Sequence, residues 1–408
     1  MEKTKIGKNF ITVVFAFLTV AVLATAPVAA TDSVGSAADW EKYVMNHGDS
    51  HSDVDIILSE DIVLTNVLCA ENKYLKNVKI NGNNHKITLN LNDTASDNVA
   101  LISRVENGTV EITNLTVEGS AVMKHLAGKN RAAGLIAYVK GGNCSFKNVS
   151  VNNINIVSGG SVGGFIGYAT SGAIIKFETC EVNRSHIKAS TNYYAGGFIG
   201  WEDNSCIVKI IDSLVLNSDI SAEKVTAGGF VGCAAGEDLV VSKCKVSDCE
   251  IYSACGQTGG VVGFLESNLE MENVTIINTK ILTTAAPPLT NGSYLSAKTD
   301  KFIGVGGLVG EMNGDEYTLT ATGTTITTSI IASNRENVNY IIGCPSTPIL
   351  NGVIVSKDTK LEQEITQERN PELYDKKTAP KVAKTPFPLS SLLAGLGIVG
   401  LLIRQRKI

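Results

Sequence analysis

The sequence has no Cys-x-x-Cys pair, no Walker loop and no Gly-x-Gly-x-x-Gly set between a strand and a helix. Those absences exclude zinc ribbons, thioredoxin-like redox pairs and the common phosphate cradles. Charge is sparse: 35 basic residues against 40 acidic ones leave a difference of −5, with the two signs interspersed. No basic stripe runs along the chain, so no nucleic-acid partner is expected. No Ser/His/Asp constellation stands out among the five histidines. Between residues 54 and 355 no segment is long enough for a helix, which argues against alternating strands and helices in a doubly wound sheet.

What the sequence does contain is one phrase, repeated. Gly163-Gly164-Phe165-Ile166-Gly167 returns as Gly196-Gly197-Phe198-Ile199-Gly200, Gly228-Gly229-Phe230-Val231-Gly232, Gly259-Gly260-Val261-Val262-Gly263 and Gly306-Gly307-Leu308-Val309-Gly310. From Gly134 through the second glycines Gly164, Gly197, Gly229, Gly260 and Gly307, the steps are 30, 33, 32, 31 and 47 residues. Weaker copies at Ala100 and Tyr340 keep the frame and bring the count to about eight. A second block in each unit alternates apolar and polar positions, as in Phe146-Lys147-Asn148-Val149-Ser150-Val151, Ile211-Asp212-Ser213-Leu214-Val215-Leu216 and Val241-Ser242-Lys243-Cys244-Lys245-Val246. Alternation of period two is the mark of a half-buried strand. One unit of two or three short strands cannot bury its apolar face alone, whereas stacked units share a continuous core. The expected fold is all-β: a parallel β-helix of about eight coils, a rod of roughly 40 Å at ~4.8 Å per coil. The paired glycines suit a backbone that turns sharply or lies close to its neighbours.

The Gly-Gly-apolar-apolar-Gly core at this spacing resembles the GLUG repeats of prokaryotic surface proteins, over roughly residues 95–345. The opening Ile80-Asn81-Gly82-Asn83-Asn84-His85-Lys86-Ile87-Thr88-Leu89 is similar to the first coils of pectate-lyase-like β-helices. The resemblance implies a secreted, cell-surface solenoid, often adhesive, and assigns no catalytic residue.

The termini read as addresses. Residues 1–30 carry Lys3, Lys5 and Lys8, an apolar run and Val28-Ala29-Ala30, the order of a secretory signal peptide. Residues 37–45 suggest a short amphipathic helix over the open first coil, which would otherwise be a bare strand edge. His47, Asp49, His51 and Asp53 alternate after it, a spacing compatible with a divalent ion but equally with a polar loop; no metal and no cofactor are expected. The repeat domain is expected over 31–355 and a polar linker over 356–385. Residues 386–408 are expected to be a membrane anchor or sorting signal, with fifteen uncharged residues ahead of Arg404, Arg406 and Lys407. Thr385-Pro386-Phe387-Pro388 before that run resembles the motif read by archaeosortase or exosortase-type enzymes, which implies a sorting enzyme as partner and, with the acceptors below, an archaeal source.

Asn-x-Ser/Thr acceptors stand at Asn92, Asn107, Asn114, Asn143, Asn148, Asn183, Asn273 and Asn291, candidates for glycosylation in an exported chain. The odd number of cysteines, nine, does not read as a disulfide scaffold. Cys180 and Cys244 share an inward column with Leu115, Val149, Leu214 and Val274, two units apart and too distant to bridge. Cys233 occupies the place held elsewhere by Tyr168, Trp201 and Phe264, while Cys249 with Cys255 and Cys144 with Cys206 remain open pairings. The insertion holding Pro287 and Pro288 is expected to leave the rod as a loop and offers a ligand contact. The expected role is a non-enzymatic surface protein that binds a glycan, an envelope component or another cell's protein through repeated faces. The alternative is a polysaccharide lyase or hydrolase on the same fold, whose paired carboxylates would have to come from scattered acidic residues.

Overall fold

The computed structural model describes residues 31–42, 53–65, 74–92, 96–123, 130–191, 193–284, 304–314, 316–333, 338–343 and 348–362. They form an all-β parallel solenoid of about eight turns. One coil shows the plan. A short strand, Tyr194–Gly196, lies in an eight-stranded sheet, C. The glycine turn leads into Ile199–Asp203, in a seven-stranded sheet, B. Three further strands, Ile207–Ile211, Leu214–Leu216 and Asp219–Ala222, belong to the broad sheet A. Each strand pairs in parallel with its counterpart in the next coil, as in Ala195↔Ala227, Trp201↔Cys233, Ile210↔Val241 and Val215↔Val246.

Stacking of like on like fills the interior. Phe165, Phe198 and Phe230 follow one another at ring-centroid distances of 4.6 and 5.1 Å, and Phe146 stacks on Phe177 at 4.9 Å. The repeat glycines form a column of their own. A Cβ on Gly164, Gly197, Gly229, Gly260 or Gly307 would lie 2.0–2.3 Å from the backbone oxygen of the matching residue one coil on. Only a residue without a side chain lets the coils close to hydrogen-bonding distance there, with Gly164 N–H donating to Gly197 O at 2.9 Å.

At one unit the register departs from the sequence reading. Phe177 pairs with Ile210, not Ile211, so the column of Cys180 continues through Ser213, not Leu214, to Cys244. A one-residue slip exchanges the two faces of a strand, and the run Ile210-Ile211 conceals which isoleucine is buried. The two corners of this coil in sheet A use left-handed residues, Asp212 (φ 49°) and Asn217 (φ 47°). Strand geometry breaks at such corners, and backbone groups there need other partners. Buried Ser213 supplies them: its hydroxyl accepts from Cys180 N at 3.1 Å and donates to Ile211 O at 2.8 Å. Ser218 repeats this with Ser185 N and Leu216 O, and the Cys244 thiol reaches Ser242 O at 3.1 Å. Burial pushes the Cys180, Cys244 and Cys249 thiols up to about 12, so they stay S–H donors. Cys144, Cys180, Cys206, Cys233, Cys244 and Cys249 are buried free thiols that pack as small hydrophobes, and Cys255 is buried as well. Replacing Ser213 by alanine strands the Cys180 N–H, while Ile211 O keeps its bond from Thr179 N, and should cost about 1–2 kcal/mol in urea unfolding. Replacing it by cysteine, as in the neighbouring coils, should cost less than half of that.

At the N-terminal end Ser36 caps the helix Ala37–Trp40, its hydroxyl accepting from Asp39 N, and Trp40 closes the core at 1 % exposure. At the other end the last described strand, Lys360–Glu362, pairs with Ile330–Ser333, seven residues past the end of the sequence period at Val355.

Candidate functional site

The glycine phrase does more than turn the chain, because it brings the outer faces of sheets B and C against each other. A Cβ on Gly196 would meet Ile199 O at 2.0 Å and Gly232 N at 2.7 Å, and one on Gly200 would meet Val162 N at 2.6 Å. The first and last glycines of the phrase therefore press backbone to backbone across a narrow seam that runs the length of the repeats. Beyond the glycines, the side chains of the two sheets reach across it.

The sheet-B wall is one column: Arg104, Tyr138, Tyr168, Trp201, Cys233, Phe264 and Glu311 in successive coils. Tyr138 stacks on Tyr168 at 5.3 Å with 4° between the planes, and Tyr168 on Trp201 at 4.5 Å. From the C side, Tyr194 meets Trp201 at 5.3 Å and the neighbouring Tyr193 lies 6.3 Å from it. Arg131, also from sheet C, lays its guanidinium 4.3 Å from the Tyr138 ring centroid and 4.9 Å from that of Tyr168. Arg104 sits 5.1 Å from Tyr138 and pairs with Glu106, which Lys140 also approaches at 3.8 Å. Tyr168 Oη donates to Asp203 Oδ2 at 2.8 Å, and burial holds its phenol well above the usual range. All of these aromatic and cationic side chains except Tyr168 keep intermediate exposure. Cation and ring faces, partly desolvated together, make a surface suited to flat polar ligands.

Further along, the seam closes. Thr226 Oγ1 donates to Gln257 Oε1 at 2.9 Å, and Gln257 Nε2 donates to Glu311 Oε2 at 2.5 Å, all three side chains being buried. Burial pushes Glu311 up to about 7. Glu202, next to Trp201, points inward in the column of Ala169 and Ala234. It is wholly buried, and neither carboxyl oxygen has a formed hydrogen bond among the described residues, the Gly236 amide approaching without closing one. Burial pushes it up to about 8, the Gly236 backbone opposing and nearby Asp203 adding to the shift.

The sequence candidates lie elsewhere or outside the described residues. Asn92, Asn107, Asn143 and Asn273 are exposed, at strand ends or corners. Asn114 and Asn148 are left-handed corner residues (φ 51° and 54°) whose amides form a ladder, Asn148 Nδ2 donating to Asn114 Oδ1 at 2.8 Å. Asn183 Nδ2 donates to Glu181 Oε1 at 2.9 Å. Asn291, the proline insertion, the signal and tail segments with Thr385, Pro386, Phe387 and Pro388, and His47, Asp49 and His51 all lie outside the described residues. Asp53 accepts from Asn77 Nδ2 at 2.7 Å. Among the described residues no group of three or more His, Cys, Asp or Glu is placed to hold a metal ion, and no helix is long and apolar enough to cross a membrane.

The seam itself was the site that sequence reasoning missed. Tyr168, Trp201 and Phe264 were visible as one column, but Arg131 and Tyr194 come from the other sheet and join them only when C folds against B.

No family model matches the sequence, and no curated protein matches it either. Among solved structures, the chain is similar to the crystal structure of a putative immunoglobulin A1 protease from Bacteroides ovatus, with a TM-score of 0.51 and 17 % identity over 70 % of this chain and 85 % of that one. At that identity the likeness is one of fold, the parallel solenoid.

Proposed function

We propose that this chain is an exported, surface-held β-solenoid that binds glycans through the aromatic and cationic stretch of its seam. The observation that carries this reading is the three-ring stack Tyr138, Tyr168 and Trp201, edged by Arg131 and by Tyr193 and Tyr194. Elsewhere the stacked rings are phenylalanines of the core; here tyrosine, tryptophan and arginine gather at a partly open surface, the composition of a recognition site. The GLUG-like period, the signal-like N-terminus and the sorting-signal-like tail support display outside the cell, with the membrane as partner at the C-terminal segment. Envelope or other-cell proteins carrying such glycans would be the natural partners, and repeated weak contacts along one rod would add avidity.

A panel of acidic and neutral polysaccharides tests the reading. The full chain should be retained on at least one of them, and Trp201→Ala should weaken that retention tenfold or more, by loss of stacking contact, while the variant still unfolds in one cooperative transition at a lower midpoint. Release of reducing or unsaturated ends would move the reading to a polysaccharide-cleaving enzyme.

A further inference from the structure

Arg131 differs from the ion-paired cations of the rod in being largely buried against aromatic rings. Lys86 is paired with Glu118, Lys147 and Lys176 with Glu178, Lys188 with Glu223 and Arg104 with Glu106. Arg131 has no carboxylate partner among the described residues. Its polar contact is one long hydrogen bond, Nη1 to Asn98 Oδ1 at 3.4 Å, and its Cζ lies beside the stacked Tyr138 and Tyr168 rings, 4.3 and 4.9 Å from their centroids. Burial is the chief influence on the group and disfavours its charge, and the nearby Arg104 acts in the same direction. A guanidinium has five N–H donors in a planar fork, most of them free here, and the fork matches the spacing of two oxyanion oxygens. A half-buried cation without a counter-charge gains from an anion more than an exposed one does, because water has already been removed from around it.

We infer that the seam takes an acidic sugar, whose carboxylate or sulfate is received by the Arg131 fork while the sugar ring lies against Trp201 and Tyr193. The inference rests on the glycan-binding reading above and narrows its ligand class. Tyr138 and Tyr168 hold the guanidinium in place, so little side-chain freedom is lost on binding. Ser161, the partner of Arg131 in the next coil, is short and does not compete for the fork.

The test uses the full chain and three acidic polymers, hyaluronan, chondroitin sulfate and polysialic acid, each beside its carboxyl-reduced form, with chondroitin also desulfated. Binding to at least one acidic polymer should be tenfold or more tighter than to its neutral counterpart. Arg131→Gln should abolish that preference without moving the unfolding midpoint, and Arg131→Lys, which keeps the charge but loses the fork, should retain only part of it. Equal affinity for acidic and neutral forms, binding to none of the three, or a preference that survives Arg131→Gln would overturn the inference. Failure of the broader reading is separate: Trp201→Ala would then leave retention on every polymer, acidic or neutral, unchanged.

Discussion

Replacing Glu202 by glutamine should make the protein more stable at pH 8 by roughly 2–4 kcal/mol, and should leave it nearly unchanged below pH 4.5. The carboxyl is wholly buried and pushed from an ordinary value of 4.5 up to about 8, chiefly by loss of water. Between those two values the unfolded chain has released this proton and the folded chain has kept it. The folded state therefore binds more protons, and stability falls as pH rises, by at most about 1.4 kcal/mol per unit. Below 4.5 both states are protonated and the contribution is whole; above about 8 it is gone. Glutamine keeps the shape and carries no proton to lose, so its urea midpoint should be flat across the window in which wild type declines. Parallel curves for the two proteins between pH 5 and 8 would show that Glu202 is solvated or paired. Glu311, pushed up to about 7 and held by Gln257, should add a smaller slope of the same sign.

Gly229→Ala should be the most damaging substitution in the column of second glycines, Gly164, Gly197, Gly229, Gly260 and Gly307. An alanine in a strand is ordinarily favoured over glycine by roughly 0.5–1 kcal/mol, because it restricts the unfolded chain. Here the added Cβ would stand 2.0 Å from Gly260 O and 3.0 Å from Gly260 C, both backbone atoms of the next coil. Relief requires the two coils to part, which breaks the ladder on either side, so a loss of about 4 kcal/mol or a failure to fold is expected. Gly35→Ala is the control, since its added Cβ would meet the movable Ser59 Oγ at 2.8 Å and only then Glu60 Cγ at 3.9 Å. It should shift the unfolding midpoint little. If the two variants unfold alike, the repeat glycines are not contact points between coils.

The stacking plan was legible because it rests on local rules repeated many times. The thirty-residue step, the alternation of Val149 and Val151, and the Trp40 cap each follow from periodicity or from the cost of an open edge. The cysteines were also readable as packing residues, since their spacing ruled out a bridge between Cys180 and Cys244. Less visible was the face on which a residue falls after an irregular step. Ile199 and Glu202 are both buried, three residues apart, with Trp201 and Asp203 partly exposed, so strict alternation counted from Ile199 assigns Glu202 to the wrong side. The same difficulty misplaced Ile210 by one. The seam was hidden for a different reason: Arg131 lies seven residues before Tyr138 and 37 before Tyr168, and only the fold of sheet C onto sheet B brings its guanidinium over both rings.

The protein has two tryptophans, Trp40 buried in the cap and Trp201 in the seam, so Trp40→Phe leaves a single fluorescent reporter at the proposed site. Titrating that variant with hyaluronan, chondroitin sulfate and polysialic acid oligosaccharides should give a saturable change in Trp201 emission for at least one of them, lost in the Arg131→Gln background. Calorimetric binding of any of these oligosaccharides with Trp201 emission unchanged would place the contact away from the seam and contradict the account.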